Sequence, residues 1–224
     1  MFTTDPLTEN CRQALHRGEH VCIGVSPFNR YFSTGRIAQL AEWGMKSFEH
    51  YHFFIPDRAA AFTLEALGYE PARARHKAQR QGNYVRNKIV RALEGLGVAD
   101  GGRLVLDGEA LEGNAAYQRL LGEARQRVAG DPGFGAACLD AAGWVLENKL
   151  PDGGQPTAEQ LRTAVRYFVA ELPMFISTVD IVASTSSVFV YHQRVRVLER
   201  LYHGELDWNP HPGQGFVVVR PDDE

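Results

Sequence analysis

Residues 20–33, HVCIGVSPFNRYFS, decide the fold that this chain of 224 residues is predicted to adopt. The run HVCIGV (20–25) is short, apolar and partly β-branched, which is typical of a buried strand in a parallel sheet. Ser26 follows the run, and Ser33 or Thr34 is suited to cap a helix. A strand, a loop and a helix in this order predict the first unit of an α/β domain.

Strand-like runs and helix-like runs continue to alternate along the rest of the chain. The further runs that predict strands are HYHFFIP (50–56), RLVLD (103–107), MFISTVDIVA (174–183), SVFVY (187–191) and FVVV (216–219). We therefore predict an α/β fold, a single Rossmann-like, doubly wound domain with a central, mostly parallel sheet flanked by helices. The domain is expected to span residues 1–224, with its ends, about 1–17 and 206–224, at the periphery.

Composition and missing motifs exclude several classes of function. No apolar run approaches the 18 residues that a membrane span needs, so no membrane partner is expected. The chain lacks GxGxxG after its first strand and GxxxxGK[ST] anywhere, which leaves dinucleotide and P-loop binding without support. Its three cysteines form no CxxC pair, as is typical of free thiols in a reducing compartment. We expect a cytoplasmic protein without a metal or a cofactor.

Ser26 lies where the first predicted strand ends, at the edge of a doubly wound sheet where ligands bind. Gly24, on the same strand face, leaves room for a group to approach the backbone. Two interpretations remain open on these residues alone. Ser-Pro is typical of a turn, and the segment GVSPF lacks the second glycine of the hydrolase elbow GxSxG. Alternatively, Ser26 is a nucleophile.

Tyr167 and Glu171 form a second candidate, in the segment VRYFVAELP. A helix is predicted from about Thr157 to Leu172, and the i,i+4 spacing places both side chains on one face of it, beside the apolar stripe. Glu171 is either a solvated residue at the flank of that stripe or the carboxylate of a proton-handling set with a phenol and a serine.

The charge of the chain is unevenly distributed. The net charge is −3, yet residues 71–93 contain seven basic residues and no Asp or Glu, which leaves −10 for the rest. An uncompensated cationic helix face with an interleaved aromatic predicts contact with a phosphate backbone, the alternative being a solvated face. At 100° per residue, one sector of about 80° on a helix holds the basic stripe, namely Arg73, Lys77, Arg80, Tyr84, Lys88 and Arg91.

His50 and His52 share one face of the second predicted strand. Two histidines in this spacing can ligate a metal, but no carboxylate or thiol lies nearby in sequence. The pattern therefore favours packing histidines over a metal site.

Four segments together resemble the cyclodipeptide synthase family. They are GVSPFNRYFS (24–33), the basic helix, YFVAELP (167–173) and VFVYHQ (188–193), and their order and spacing match that family over roughly residues 18–205. The resemblance implies a fold like the catalytic domain of class I aminoacyl-tRNA synthetases. It also implies an ATP-independent aminoacyltransferase that takes two aminoacyl-tRNAs and releases a cyclic dipeptide, a 2,5-diketopiperazine. The absence of HIGH and KMSKS signatures agrees with a protein that does not activate amino acids itself.

The resemblance assigns roles to individual residues of this chain. Ser26 matches the nucleophile that the first aminoacyl-tRNA acylates. Tyr167 and Glu171 match the residues that hold the ammonium group of the bound aminoacyl group and assist proton transfer. Tyr191 matches the second tyrosine of the site, and Asn29 matches the asparagine of the loop.

A tRNA-binding surface and an aminoacyl pocket are further implications of the resemblance. The expected tRNA-binding residues are Lys77, Arg80, Arg86, Lys88 and Arg91. The expected pocket residues are Cys22, Gly24, Phe54, Met174, Phe189 and His192. Since this pocket is mostly apolar, we expect an uncharged, apolar first amino acid. We expect two aminoacyl-tRNAs as partners, no DNA, and a monomer.

Two other functions stay open at this stage. A non-catalytic RNA-binding module requires only the basic helix, with Ser26 as part of a turn. A serine acyltransferase or esterase acting on small molecules requires only the nucleophile, although the missing GxSxG disfavours it.

Overall fold

A sheet of six strands runs through the centre of the molecule. The structure is a computed structural model that describes residues 2–150 and 154–222. The strands of the described residues are β1 (Phe2–Pro6), β2 (His20–Gly24), β3 (His50–Phe54), β4 (Val105–Leu106), β5 (Ser187–Tyr191) and β6 (Gln214–Pro221). Their order across the sheet is β1-β6-β5-β2-β3-β4, and only the β1–β6 pair is antiparallel. The predicted mostly parallel sheet is confirmed.

Helices cover both faces of this sheet. Within the described residues they are α1 (Glu9–Arg17), α2 (Thr34–Ser47), α3 (Ala60–Ala66), α4 (Pro71–Gly95), α5 (Gly108–Glu112), α6 (Ala115–Gly130), α7 (Pro132–Glu147), α8 (Ala158–Val182) and α9 (Arg196–Tyr202), with a short 3₁₀ helix at Gly101–Leu104. None of these helices combines the length and the apolar character that crossing a bilayer requires.

The order of the strands reverses at β2. From β2 the chain adds β3 and β4 on one side, and it then returns to add β5 and β6 on the other. In doubly wound sheets, ligands bind at the carboxyl ends of the strands where such a reversal occurs. Ile23 of β2 is paired with Val190 of β5, so the residues that follow these two strands meet at the reversal.

Two apolar cores lie on opposite faces of the sheet, and strand β2 contributes to both. Val21 and Ile23 are buried on the face covered by α2 and α4, whereas Cys22 is buried on the face covered by α6, α7 and α8. This alternation follows from the two-residue period of a strand. It also places Gly24 on the same face as Cys22, toward α8.

Helix α8 corrects one prediction. The run MFISTVDIVA (174–183) was expected to form a strand after Pro173, but it continues α8 as far as Val182. The periodicity of a short apolar run cannot distinguish a buried strand from a buried helix. Most of this segment is buried, so its sequence is compatible with both. Pro173 is accommodated within the helix, and the local distortion lies at Ser177, which has non-helical backbone angles.

The positions of the two ends of the chain differ from the prediction. Residues 206–224 were expected at the periphery, but β6 is an internal strand that pairs with β1 on one side and β5 on the other. Phe216 and Val217 are fully buried. Residues 2–6, also expected at the periphery, form the edge strand β1, which no pattern in the sequence predicted.

Candidate active site

The hydroxyl groups of Ser26 and Tyr191 meet at the point where the strand order reverses. Ser26 follows β2 by two residues, and Tyr191 is the last residue of β5, which lies beside β2. The Ser26 Oγ atom is 2.9 Å from the phenolic oxygen of Tyr191, a hydrogen-bond distance. Parallel pairing of β2 and β5 thus joins two residues that are 165 positions apart in sequence.

The loop that carries Ser26 is fixed by Asn29. The Asn29 Oδ1 atom accepts a hydrogen bond from the backbone N–H of Tyr31 at 3.0 Å. Its Nδ2 atom lies 3.0 Å from Nε2 of His192, just after β5. Ser33 then caps α2 by accepting a hydrogen bond from the N–H of Arg36 at 3.2 Å. The loop is therefore held at both ends and attached to the neighbouring strand.

His192 presents a neutral imidazole to this loop. Because the Asn29 amide nitrogen only donates hydrogen bonds, Nε2 of His192 accepts, and its ring proton lies on Nδ1. Burial lowers the pKa of His192 to about 4. The ring stacks on Tyr31 with 4.2 Å between centroids. Sequence reasoning did not identify Tyr31. The one signal for its role is its position, two residues after the asparagine of the loop, and that signal is weak.

Tyr167 and Glu171 lie on α8, and their side chains are in contact. The Tyr167 hydroxyl donates a hydrogen bond to Oε1 of Glu171 at 3.2 Å, as the i,i+4 spacing predicts. Burial raises the pKa of Glu171 to about 8, and the hydrogen bond from Tyr167 opposes the rise. Both side chains are only partly exposed, and the raised pKa of Glu171 favours the proton-handling set over a solvated residue at the flank.

The five residues predicted as catalytic come together in one place. Burial raises the pKa of Tyr191 to about 12, while hydrogen bonding with Ser26 and Asn29 opposes the rise and the charge of Glu171 adds to it. The pKa of Tyr167 is raised well above its usual value by burial and by Glu171, with Ser26 again opposing. Both phenols therefore stay protonated at neutral pH, whereas the pKa of Glu171 is raised into the range near neutral pH.

Four of the predicted pocket residues form one packed cluster under this site. Cys22, Phe54, Met174 and Phe189 belong to the same apolar core, and each is at most 2% exposed. Burial raises the pKa of the Cys22 thiol, which keeps it protonated. Phe54 additionally lines a cavity of about 320 Å³ whose apolar wall includes Tyr117, Leu121 and Ala170.

The surroundings of Gly24 show that the interpretation of this glycine as clearance for a bound group is wrong. The space above this glycine was expected to admit a bound group, but the ring of Phe189 occupies it. A Cβ atom at position 24 would lie 2.7 Å from Cζ of Phe189 and 3.4 Å from Cδ2 of Tyr191. Gly24 thus allows the two aromatic side chains of β5 to pack against β2, which sets the position of Tyr191.

The basic stripe lies on α4, which begins at Pro71 as predicted. Arg80 and Arg91 are exposed, and Tyr84 has 55% of its side chain exposed. The Lys88 ammonium lies 4.5 Å from the centroid of the Tyr84 ring and donates a hydrogen bond to the carbonyl oxygen of Phe32 at 3.3 Å. Since Phe32 belongs to the Ser26 loop, the stripe is directly joined to the candidate active site.

Like Lys88, two more of the predicted tRNA-binding residues have partners within the protein. Lys77 donates a hydrogen bond to the hydroxyl of Tyr69 at 2.7 Å. Arg86 lies on a different face of α4, forms an ion pair with Asp107 at 3.2 Å, and lines a cleft of about 820 Å³. Arg86 therefore does not belong to the basic stripe.

The histidines of β3 lie at the opposite ends of the strands from Ser26. Nδ1 of His52 is 2.9 Å from Nε2 of His20, whose Nδ1 is 2.7 Å from Oγ of Ser187. Burial lowers the pKa of His20 to about 3. His52 thus pairs with a buried histidine that sequence reasoning missed, whereas His50 is exposed.

Comparison with solved structures agrees with this architecture. A structure from Mycobacterium tuberculosis, which demonstrated that cyclodipeptide synthetases are related to type I tRNA synthetases, superposes with a TM-score of 0.87 at 34% identity. The match covers 99% of this chain and 94% of that one. The fold is therefore that of an α/β domain related to class I aminoacyl-tRNA synthetases.

Comparison of sequences identifies the family within this fold. A family model described as cyclodipeptide synthase matches residues 2–221. The chain is 33% identical over 221 residues to the cyclo(L-tyrosyl-L-tyrosyl) synthase of Mycobacterium tuberculosis, a match that covers 99% of this chain and 76% of that protein. It is 31% identical over 229 residues to the cyclo(L-leucyl-L-leucyl) synthase of Bacillus subtilis, covering 98% and 89%. The chain belongs to the cyclodipeptide synthase family.

Proposed function

We propose that this protein joins two amino acids delivered by aminoacyl-tRNAs and releases them as a cyclic dipeptide. The observation that carries the proposal is the serine hydroxyl held 2.9 Å from Tyr191, at the same site as the Tyr167–Glu171 pair. An aminoacyl-tRNA ester already stores the free energy of activation, so ester transfer to a serine requires neither ATP nor a metal.

In the first step, the Oγ atom of Ser26 attacks the ester carbonyl of the first aminoacyl-tRNA, and the bond to the ribose oxygen breaks. A serine hydroxyl is a weak nucleophile at neutral pH and needs a path for its proton. Tyr191 and Tyr167, both neutral, pass this proton to the ribose oxygen that leaves. Helix α2 follows this loop, and its N-terminus is suited to stabilise the oxyanion.

In the second step, the amino group of the second aminoacyl-tRNA attacks the ester carbonyl on Ser26, the bond to Oγ breaks, and a dipeptidyl-tRNA forms. The free amino group of the dipeptide then attacks the ester carbonyl that links it to the tRNA, and the ribose oxygen leaves as the ring closes. An ammonium group does not react, so a base is needed. Glu171, with a pKa of about 8 in the empty site, orients this group and accepts its proton. Phe54, which lines the cavity with Tyr117, Leu121 and Ala170, supports an uncharged, apolar first amino acid.

The basic stripe supplies the surface for the tRNA phosphates in this proposal. Its exposed cations are Arg73, Arg80 and Arg91, and Tyr84 is its exposed aromatic residue. We further propose that the protein acts as a monomer in the cytoplasm, on two aminoacyl-tRNAs in turn and without DNA.

Mass spectrometry of bacterial cultures tests the proposed function. Cells that express the native protein should release a cyclic dipeptide, and Ser26→Ala should abolish both that product and the aminoacyl-enzyme. If the native protein binds tRNA without any product, it is an RNA-binding module. If it hydrolyses small esters and takes no amino acid from tRNA, it is an esterase. An acyl-enzyme recovered from Ser26→Ala would contradict the role of Ser26.

A further inference from the structure

Phe28, two residues after Ser26, has an unfavourable backbone conformation. Its φ angle is +65°, in the left-handed region. The N–H of Asn29 lies 3.4 Å from the carbonyl oxygen of Ser26, which closes a four-residue turn around Pro27 and Phe28. Turns with proline at the second position and a positive φ at the third favour glycine or asparagine there, because a side chain is strained. The turn itself therefore does not explain a phenylalanine.

The side chain of Phe28 is also unusually exposed. With 37% of its surface accessible, it is one of four exposed large apolar side chains in the described ranges. The four are Phe28, Met45, Tyr84 and Trp144. Phe28 lies on the Ser26 loop and Tyr84 on the basic stripe, and Lys88 contacts both the Tyr84 ring and the carbonyl group of Phe32 in that loop. Lys88 thus links Tyr84 to the loop that carries both Phe28 and Ser26.

This arrangement fits the chemistry of a single-stranded RNA end. In an aminoacyl-tRNA the amino acid is esterified to the ribose of the terminal adenosine, so that base must lie close to Ser26 when the ester does. Exposed aromatic rings on a cationic surface bind single-stranded nucleic acid by stacking on its bases. Resting on the proposed function, we propose that Phe28 stacks on the terminal adenine and positions the ester at Oγ of Ser26. The strained turn then holds this ring on the loop that carries the nucleophile, and the stack offsets its conformational cost.

A double-mutant cycle on binding tests this contact without requiring the identity of the amino acid. Dissociation constants are measured for uncharged tRNA ending in CCA and for the same tRNA ending in CC, with the native protein and with Phe28→Gly. Glycine suits the left-handed backbone, so the variant should remain folded, with a melting temperature within about 3 °C of the native value. Phe28→Tyr retains the ring, and Met45→Ala removes an equally exposed apolar side chain from α2.

Removal of the terminal adenosine should weaken binding to the native protein roughly five- to tenfold, at the lower end of what stacking on one base contributes. It should weaken binding to Phe28→Gly less than twofold. Phe28→Tyr and Met45→Ala should both show the loss seen with the native protein.

An equal loss in the native protein and in Phe28→Gly overturns the proposed stack, and so does a native protein that does not sense the terminal adenosine. A Phe28→Tyr variant that behaves like Phe28→Gly also overturns it. If the native protein binds no tRNA at all, the proposed function fails and this inference fails with it. If it binds tRNA, but removal of the terminal adenosine weakens binding equally with and without the Phe28 ring, only this inference is overturned.

Discussion

The Oε1 atom of Glu171 lies 3.2 Å from the hydroxyl oxygen of Tyr167, one turn earlier on α8, and burial raises the pKa of this carboxyl group to about 8. A free α-amino group has an ordinary pKa in the same range, about 7.7 to 8.0. Proton transfer from the incoming amine to Glu171 is therefore nearly balanced in energy, which suits a group that both orients and deprotonates its substrate.

Replacement of Glu171 by Gln should impair catalysis much more than binding. Gln retains the size of the side chain but cannot accept the proton, so we expect product formation to fall about 100-fold or more, at the level of general-base catalysis. The dissociation constant for aminoacyl-tRNA should change less than threefold. The rate of peptide-bond formation by the native protein should rise with pH through about 8. The residual rate of the variant should not show this rise. Equal losses of rate and binding would indicate a structural role instead.

The same substitution should change the pH dependence of stability. The pKa of Glu171 is raised on folding from 4.5 to about 8. Between these values the folded state binds more protons than the unfolded state, so this residue makes stability decrease as pH rises through that window. The Glu171→Gln variant lacks this titration. Its free energy of unfolding relative to the native protein should therefore increase by up to about 4 kcal/mol between pH 5 and pH 8.5. Urea unfolding at both pH values measures the change, and a constant difference would contradict it.

Charge reversal at Arg80 and Arg91 should weaken tRNA binding and reduce its dependence on salt. Both side chains are exposed on the basic stripe. If each contacts one phosphate, replacing both by Glu should reduce the slope of log K against log salt by about 1.5. Arg17→Glu with Arg220→Glu makes the same change of net charge at exposed positions outside α4, and should alter the slope far less. An identical slope in all three proteins would exclude the stripe from the interface.

The Gly24→Ala substitution should displace Phe189 and Tyr191 together. The new Cβ atom would lie 2.7 Å from Cζ of Phe189, whose ring is confined by three other phenylalanines. We expect a loss of about 1–3 kcal/mol of stability from this overpacking, and slower acylation of Ser26. Gly122→Ala on α6 meets no atom within 4 Å and should stabilise the protein by about 0.5–1 kcal/mol. Unchanged stability and acylation in Gly24→Ala would show that β5 tolerates the shift.

Local patterns predicted the part of the fold that holds the site. The β2 run, the loop after it, the Pro71 helix and the SVFVY strand were all predicted from short-range signals, and parallel pairing then brings Ser26 and Tyr191 together. The Tyr167–Glu171 contact followed from helical spacing alone.

The features that the sequence did not indicate depend on packing between residues that are distant in sequence. Residues 174–182 are apolar and β-branched, yet burial beside the sheet retains them in α8. The ring of Phe189 fills the space above Gly24 because the register of β5 places it there, and no local pattern indicates that register. The His20–His52 contact likewise depends on which strands become neighbours.

The position of β6 has a consequence for synthesis on the ribosome. Phe2 pairs with Pro221, so the first strand has no partner until the segment Gln214–Pro221 has been translated. Until then, β5 also has an open edge beside the site. Such distant pairing is slow to form and leaves strand edges available to other chains. A nascent polypeptide of this protein is therefore most vulnerable to aggregation just before its last strand enters the sheet.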